Sequence, residues 1–380
     1  MKILNYTKEH IEFREKTRAF MKKEIIPNIQ QWEANHDFPR DVWYRMGEAG
    51  LLCTTIPTEY GGAGHDLLYD VIVAEELLHA DSSCGGGVVL HSWITTPYIA
   101  VFGNEEQKKK YLPKCVSGEC ITAVGMTEPD AGSDLTSIAT TAVEDGDDVI
   151  INGTKIFISC AICCGLVVLA ARDPEIENPY EALSLYLVEE GAPGFTKGVK
   201  YDKMGLHTQD TGELIFTNCR IPKTSMLGKK GAGFKMLMLE LQQERLSIAI
   251  MALNVAERVL EETIEHYKNP SSNYIIPKTQ VNQFAITEMA TDIKIQRLFL
   301  DKLIEEHMAG SNIVVETSMA KYKMTELSRE VCDRCIDLHG DFGGTEACIA
   351  VKYLRDVRSM SIFAGTNEIM RQIISKFMKL

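Results

Sequence analysis

Apolar side chains at Ile11, Phe13, Ala19, Phe20, Ile25 and Ile26 recur among charged residues near the start of the chain, and Tyr69–Leu78 repeats the pattern. Positions three and four apart share one face of a helix, so this spacing predicts amphipathic helices. The glycine-rich stretch from Pro57 to Gly64 breaks the period and predicts a loop. A charged helix is expected from Glu105 to Leu112, ended by Pro113, whose ring cannot continue the hydrogen-bond ladder.

Near Cys120 the period changes. Val149–Ile151, Ile156–Ile158, Leu166–Leu169 and Leu183–Val188 are short, β-branched, turn-bounded runs, and Glu144-Asp-Gly-Asp-Asp148 carries a hairpin signal. From Gly231 the helical period returns in Phe234–Tyr267, Val281–Met308 and Val314–His339. The expected fold is mainly α with a central β-domain: a helical domain over 1–120, a β-domain over 121–230 and a helical bundle over 231–380. No internal repeat or low-complexity tract interrupts this order.

At 380 residues the chain is too long for one small core and suits packed sub-domains. Its net charge of −13 argues against nucleic acid and acidic membrane surfaces as partners. No apolar run reaches membrane-spanning length and the first residues lack a signal-peptide core, so a soluble, cytoplasmic protein is expected. Eleven cysteines without a secretory signal read as reduced thiols. The two CxxC spacings, Cys160–Cys163 and Cys332–Cys335, fall in segments of different character, so no metal site is expected.

Four segments could carry chemistry. Met126–Asp134 is a turn rich in small residues whose backbone N–H groups suit a diphosphate, or an ordinary capped turn. In Ile151–Ser159, strand alternation would set Phe157 and Ser159 on one face, able to hold a flat ring and donate to it. Glu244-Arg245 lies in a long apolar helix, either as a surface turn or as a buried, tuned carboxylate, and the residues alone favour the surface. Ser361–Arg371 breaks a helix at Ala-Gly-Thr and restarts it, freeing N–H groups at a helix N-terminus, or is an ordinary helix-helix turn. The glycine runs Gly61–Gly64 and Gly228–Gly233 fit neither a dinucleotide nor a Walker motif, and His91 and His339 read as structural.

Taken in order, MTEPDAGSD, NGTKIFIS, KMGLHTQDTGELIFTNCRIP, the Glu-Arg helix and FAGTNEIMR resemble the signature blocks of the acyl-CoA dehydrogenases, nearest the long-chain and isovaleryl types. The resemblance covers essentially the whole chain. It implies a helical N-terminal domain, a middle β-domain and a C-terminal four-helix bundle, assembled as a homotetramer or dimer, with FAD between β-domain and bundle. Met126, Thr127, Gly132 and Ser133 would meet the flavin and its diphosphate, Phe157 and Ile158 would flank the ring, and the Ser159 hydroxyl would reach N5. Cys160 would then neighbour the flavin edge. Gly340, Thr366 and Glu368 are implied as further cofactor contacts, and Ser133, Gln242, Arg245, Ala364 and Gly365 as substrate contacts. Many members place the catalytic base directly before the C-terminal Gly-Thr; here that position is Ala364. The long-chain and isovaleryl types carry it in the Glu-Arg pair instead, which implies Glu244. The implied reaction is α,β-dehydrogenation of an acyl-CoA thioester, proton to Glu244 and hydride to flavin N5, with electrons passing to an electron-transferring flavoprotein. The small residue at 364 hints at a branched or cyclic acyl group.

Three positions depart from the family. Its usual Arg-x-x-Phe-Gly appears as Pro270-Ser-Ser-Asn-Tyr274, and its Gln-x-x-Gly-Gly as Asp337-Leu-His-Gly-Asp341. Both normally reach a neighbouring subunit's FAD, so a cation is lost and two aspartates add repulsion to a diphosphate. Three readings follow. FAD binds through a rearranged contact with Lys268 or Lys278, the chain pairs with a homologous second subunit, or it is a flavin-poor, non-catalytic subunit. A flavin oxidase or monooxygenase of the same fold is the enzymatic rival.

Overall fold

The computed structural model describes residues 3–270 and 274–380. Seven α-helices precede the sheet: α1 (Lys8–Phe20), α2 (Ile29–Asn35), α3 (Arg40–Glu48), α4 (Leu67–Ala80), α5 (Ser82–Val89), α6 (Thr96–Phe102) and α7 (Glu105–Val116). Local chemistry starts several of them: Thr7 and Asn104 form reciprocal capping boxes with His10 and Gln107, and Asp66 caps α4. Pro113 does not end α7, which runs on to Val116. A proline in the last turn forfeits one backbone bond, and burial of Cys115 beyond it holds the turn in place.

The middle of the chain forms an eight-stranded sheet from β1 (Thr122–Gly125), β2 (Thr141–Asp145), β3 (Asp148–Ser159), β4 (Leu166–Arg172), β5 (Leu183–Glu189), β6 (Phe195–Lys200), β7 (Thr211–Pro222) and β8 (Met226–Leu227), with the short α8 (Pro179–Ala182) between β4 and β5. The order is β6-β7-β3-β2-β4-β5-β8, with β1 parallel to β4. Asp145 faces Asp148 across the β2–β3 hairpin, whose turn uses Gly146 at φ 61°. The runs Val149–Ile151 and Ile156–Ile158 belong to one strand, β3, which pairs with β7 through two bulges.

The C-terminal helices are α9 (Gly233–Lys268), α10 (Gln280–Met308), α11 (Val314–Leu338), α12 (Ile349–Arg358) and α13 (Asn367–Phe377). From Arg245 to Ala256 every side chain of α9 is buried, so this stretch is the bundle's central column rather than a one-sided amphipathic helix. Its Leu246, Leu253 and Val259 pack with Met324, Val331 and Tyr353. The helical domain and sheet share a second core around Trp43, Tyr98, Leu112, Val168 and Leu187. Fold class thus agrees with the sequence pattern: helices, then a sheet, then helices.

Candidate active site

Glu244 sits on the buried face of α9 with 3% of its surface exposed. The surface reading that the residues alone favour therefore fails, and the buried carboxylate that the family resemblance implies is found, because the helix is enclosed on all sides there. The Tyr98 hydroxyl of α6 donates to Glu244 Oε1 at 3.1 Å. Burial pushes the Glu244 carboxyl from its ordinary 4.5 up to about 7, with the Tyr98 bond and the Arg245 charge opposing the shift. One helical turn earlier, Glu240 is likewise pushed up to about 7, by burial and then by the charge of Glu244. A carboxylate in this state is a stronger base than one in water, and it opens onto a cavity.

That cavity, about 140 Å³, is walled by three parts of the chain. Helices α5 and α9 give Gly86, Glu244, Ile248 and Met251, the sheet gives Met126, Thr127, Phe157, Ile158 and Ser159, and the turn before α13 gives Phe363 and Ala364. The sheet wall is set by a buried ion pair: Lys155 Nζ donates to Glu128 Oε1 at 2.6 Å and to the Met126 carbonyl at 3.0 Å. Glu128 also accepts the Ala139 and Thr140 N–H groups, and the Ile156 N–H donates to the Thr127 carbonyl. Together these bonds pin Met126 and Thr127 against β3.

Strand alternation does not hold at Phe157. A bulge lies between Lys155 and Ile158, and Phe157 takes a left-handed φ of 53°. The extra residue re-aims the strand, so that Phe157, Ile158 and Ser159 all line the cavity. Phe157 remains 65% exposed and packs on Tyr201 with ring centroids 4.8 Å apart, presenting a flat apolar wall. Ser159 Oγ accepts from Gln209 Nε2 at 2.7 Å. Gln209 in turn lies against Gly86, where an added Cβ would come within 1.9 Å of its Oε1. Cys160, at φ 61°, turns its thiol inward towards the Gly87 carbonyl at 3.9 Å and into a separate small cavity beside Trp43.

The Phe363–Thr366 turn closes the third side. Ala364 and Gly365 adopt left-handed φ of 53° and 84°. The Ala364 N–H finds no acceptor among the described residues, so it is a free donor at the cavity wall. Thr366 caps α13 by accepting the Ile369 N–H at 3.2 Å.

Other residues singled out in the sequence lie elsewhere. Gly132 and Ser133 occupy an exposed turn. Gln242 faces the α10–α11 connection, bonding His307, the Ser311 carbonyl and the Ile313 N–H, so its polar atoms are spent on the bundle. Arg245 is buried towards α11, where Nη1 reaches Ser318 Oγ at 3.4 Å and Nε lacks a partner. Thr366 and Glu368 line a different cavity of about 300 Å³ with Thr325, Arg329, Arg358 and Arg371. Gly340 is exposed between Asp337 and Asp341. Ser271, Ser272 and Asn273 lie outside the described residues; Pro270, Lys268 and Lys278 are exposed. Beside them Tyr274 stacks between His266 at 3.8 Å and Phe342 at 4.0 Å, an aromatic column the sequence gave no means of pairing. Tyr98, Gln209 and Gly86 carry no motif that marks them in the sequence, and they come to the site from segments distant in the chain. All eleven cysteines are free, and among the described residues no three His, Cys, Asp or Glu side chains gather to hold a metal.

A helical domain, a sheet and a helical bundle meeting at a buried carboxylate, two hydroxyls and a flat aromatic wall define the acyl-CoA dehydrogenase class of flavoenzymes. Family models agree: the N-terminal domain of acyl-CoA dehydrogenases matches residues 7–119, the middle domain 123–219 and the C-terminal domain 231–379. The chain belongs to this family, whose members are FAD-dependent oxidoreductases acting on acyl-CoA thioesters. It is 41% identical over 375 residues to the long-chain specific acyl-CoA dehydrogenase, mitochondrial, of Sus scrofa, covering 98% of this chain and 86% of that one. The crystal structure of an acyl-CoA dehydrogenase from Geobacillus kaustophilus superposes with a TM-score of 0.96 at 46% identity, over 98% of this chain and 99% of that one. A chain from the structure of the electron transferring flavoprotein of Acidaminococcus fermentans superposes with a TM-score of 0.94 at 34% identity, over 100% and 99%. The cavity fits a flavin by its donor set: Thr127 and Ser159 hydroxyls beside the exposed face of Phe157. Among the described residues, no helix is long and apolar enough to cross a membrane.

Proposed function

We propose that this chain dehydrogenates an acyl-CoA thioester at its α and β carbons, with Glu244 as the base. The observation that carries the assignment is Glu244 itself, buried, lifted to about 7 and opening onto the cavity opposite the Ser159 wall. An α proton beside a thioester is weakly acidic, and a base of raised pKa narrows the gap to it. The free Ala364 N–H supports a second role, donating to the thioester carbonyl as negative charge develops there. Bound FAD supplies the two-electron acceptor for the β hydride. Thr127 and Ser159 hold that cofactor by hydroxyl hydrogen bonds, with Ser159 fixed by Gln209. Met126, Phe157 and Ile158, which line the same cavity, complete the proposed cofactor contacts there, and Gly365, next to Ala364, is a proposed substrate contact.

The relatives' names support the finer assignments. The Sus scrofa relative is long-chain specific, and the Acidaminococcus structure concerns an electron transferring flavoprotein. We assign a long or branched acyl group as substrate and an electron-transferring flavoprotein as acceptor. Purified protein titrated anaerobically with a panel of acyl-CoAs tests the reading. Bleaching of a yellow protein by one thioester is expected. A yellow protein that no thioester bleaches would overturn it in favour of the oxidase rival.

A further inference from the structure

Lys321, on α11, is fully buried, yet its ammonium meets only neutral acceptors: the Gly365 carbonyl at 2.5 Å and Asn367 Oδ1 at 3.2 Å. Thr325 Oγ1 shares the Asn367 side chain at 3.1 to 3.2 Å, closing a small network. Burying an ammonium without a carboxylate is costly, and here it also faces the N-terminus of α13, where the helix dipole repels a cation. Arg245 nearby adds a like charge; burial and then Arg245 press Lys321 down to about 7, against the opposing pull of the Glu368 carboxylate. What the ammonium does hold is the carbonyl of Gly365, the second of two left-handed residues whose first, Ala364, presents the free N–H. A Cβ at Gly365 would meet Met370 Cε at 2.7 Å, so the turn lies close against α13 there. The Lys321 bond is the side-chain hydrogen bond that holds the Gly365 carbonyl.

We propose that Lys321 is a positioning residue that locks the Ala364–Gly365 turn so that the Ala364 N–H points at the thioester carbonyl. This rests on the reading of Ala364 given under Proposed function. A donor misplaced by about 1 Å loses roughly 100-fold in rate, because only an aimed dipole stabilises developing charge. Lys321→Met should therefore lower kcat by about 100-fold and move KM by less than about three-fold. Infrared spectra of bound 2-enoyl-CoA labelled at the carbonyl read the polarisation without turnover. Wild type should shift the carbonyl stretch to lower frequency than in water, Lys321→Met should lose most of that shift, and Lys321→Arg should restore part of it. Equal shifts in wild type and Lys321→Met would overturn the role of Lys321 while leaving Ala364 its own. No shift in wild type would overturn the Ala364 reading and this proposal with it. Should the methionine variant fail to fold, Lys321→Gln, which keeps an N–H but is too short for both acceptors, is read the same way, and a wild-type shift in it counts against the proposal.

Discussion

At the scale of single residues, Glu244 joins chemistry to stability. In the unfolded chain its carboxyl titrates near 4.5, and in the fold near 7. The folded state therefore binds the proton more tightly, and the stability this brings is full below 4.5 and lost as pH rises through 7. Glutamine keeps the shape and carries no charge to desolvate. Glu244→Gln should thus melt above wild type at pH 8, with the gap closing towards pH 5, as differential scanning calorimetry would record. A gap independent of pH would contradict the burial argument. The same substitution should cut turnover by at least about 100-fold while flavin absorbance stays, since it deletes a general base without touching Thr127 or Ser159. In wild type, kcat/KM should rise with pH through about 7 as the free enzyme's base loses its proton. Glu244 was visible in the sequence as a residue type, through family resemblance. Its burial was legible only through that same resemblance, because the residues alone favour a surface turn for a Glu-Arg pair until neighbouring helices are placed.

Elements carry the next level of constraint. The Lys155–Glu128 pair ties β3 to the turn that presents Met126 and Thr127, and both side chains are buried. Lys155→Met removes one partner and strands the other charge, which should cost about 3–5 kcal/mol. Urea denaturation would measure that cost, and flavin should be lost at lower denaturant than the fold itself. A change below about 1 kcal/mol would show that the pair is solvated in practice. The double variant Lys155→Met/Glu128→Leu should recover much of the loss, since neither charge then remains buried. Element identities were largely legible: periodicity gives α9, α10 and α11, and β-branched runs give β4 and β5. The bulge in β3 was not, because nothing in Lys155-Ile-Phe-Ile marks where the extra residue sits; only pairing with β7 reveals it. Nor was the path of α7 past Pro113, which depends on Cys115 finding a buried place.

For the whole molecule, the order helix, sheet, helix follows from composition shifts along the chain, but which surfaces meet another copy does not. The face bearing Pro270, Asp337, Gly340 and Asp341 is exposed, with the Tyr274–Phe342 stack beside it. The family resemblance implies that this face approaches a neighbour's flavin, where it would offer two carboxylates in place of an amide and a glycine. Each aspartate near a diphosphate opposes binding by about 1 kcal/mol at contact distance in water, less where salt screens it. Asp337→Gln with Asp341→Gly should therefore tighten flavin about ten-fold, read from the 450 nm absorbance retained on dilution. Dilution also separates the remaining readings. If a second copy completes the site, wild-type flavin occupancy should fall with protein concentration, and the double variant should resist that fall. Flavin retention that is independent of concentration and unmoved by the double variant would mean this face never meets the cofactor. The aspartates would then have accumulated where no anion passes, and each chain would hold its flavin through its own sheet and bundle alone.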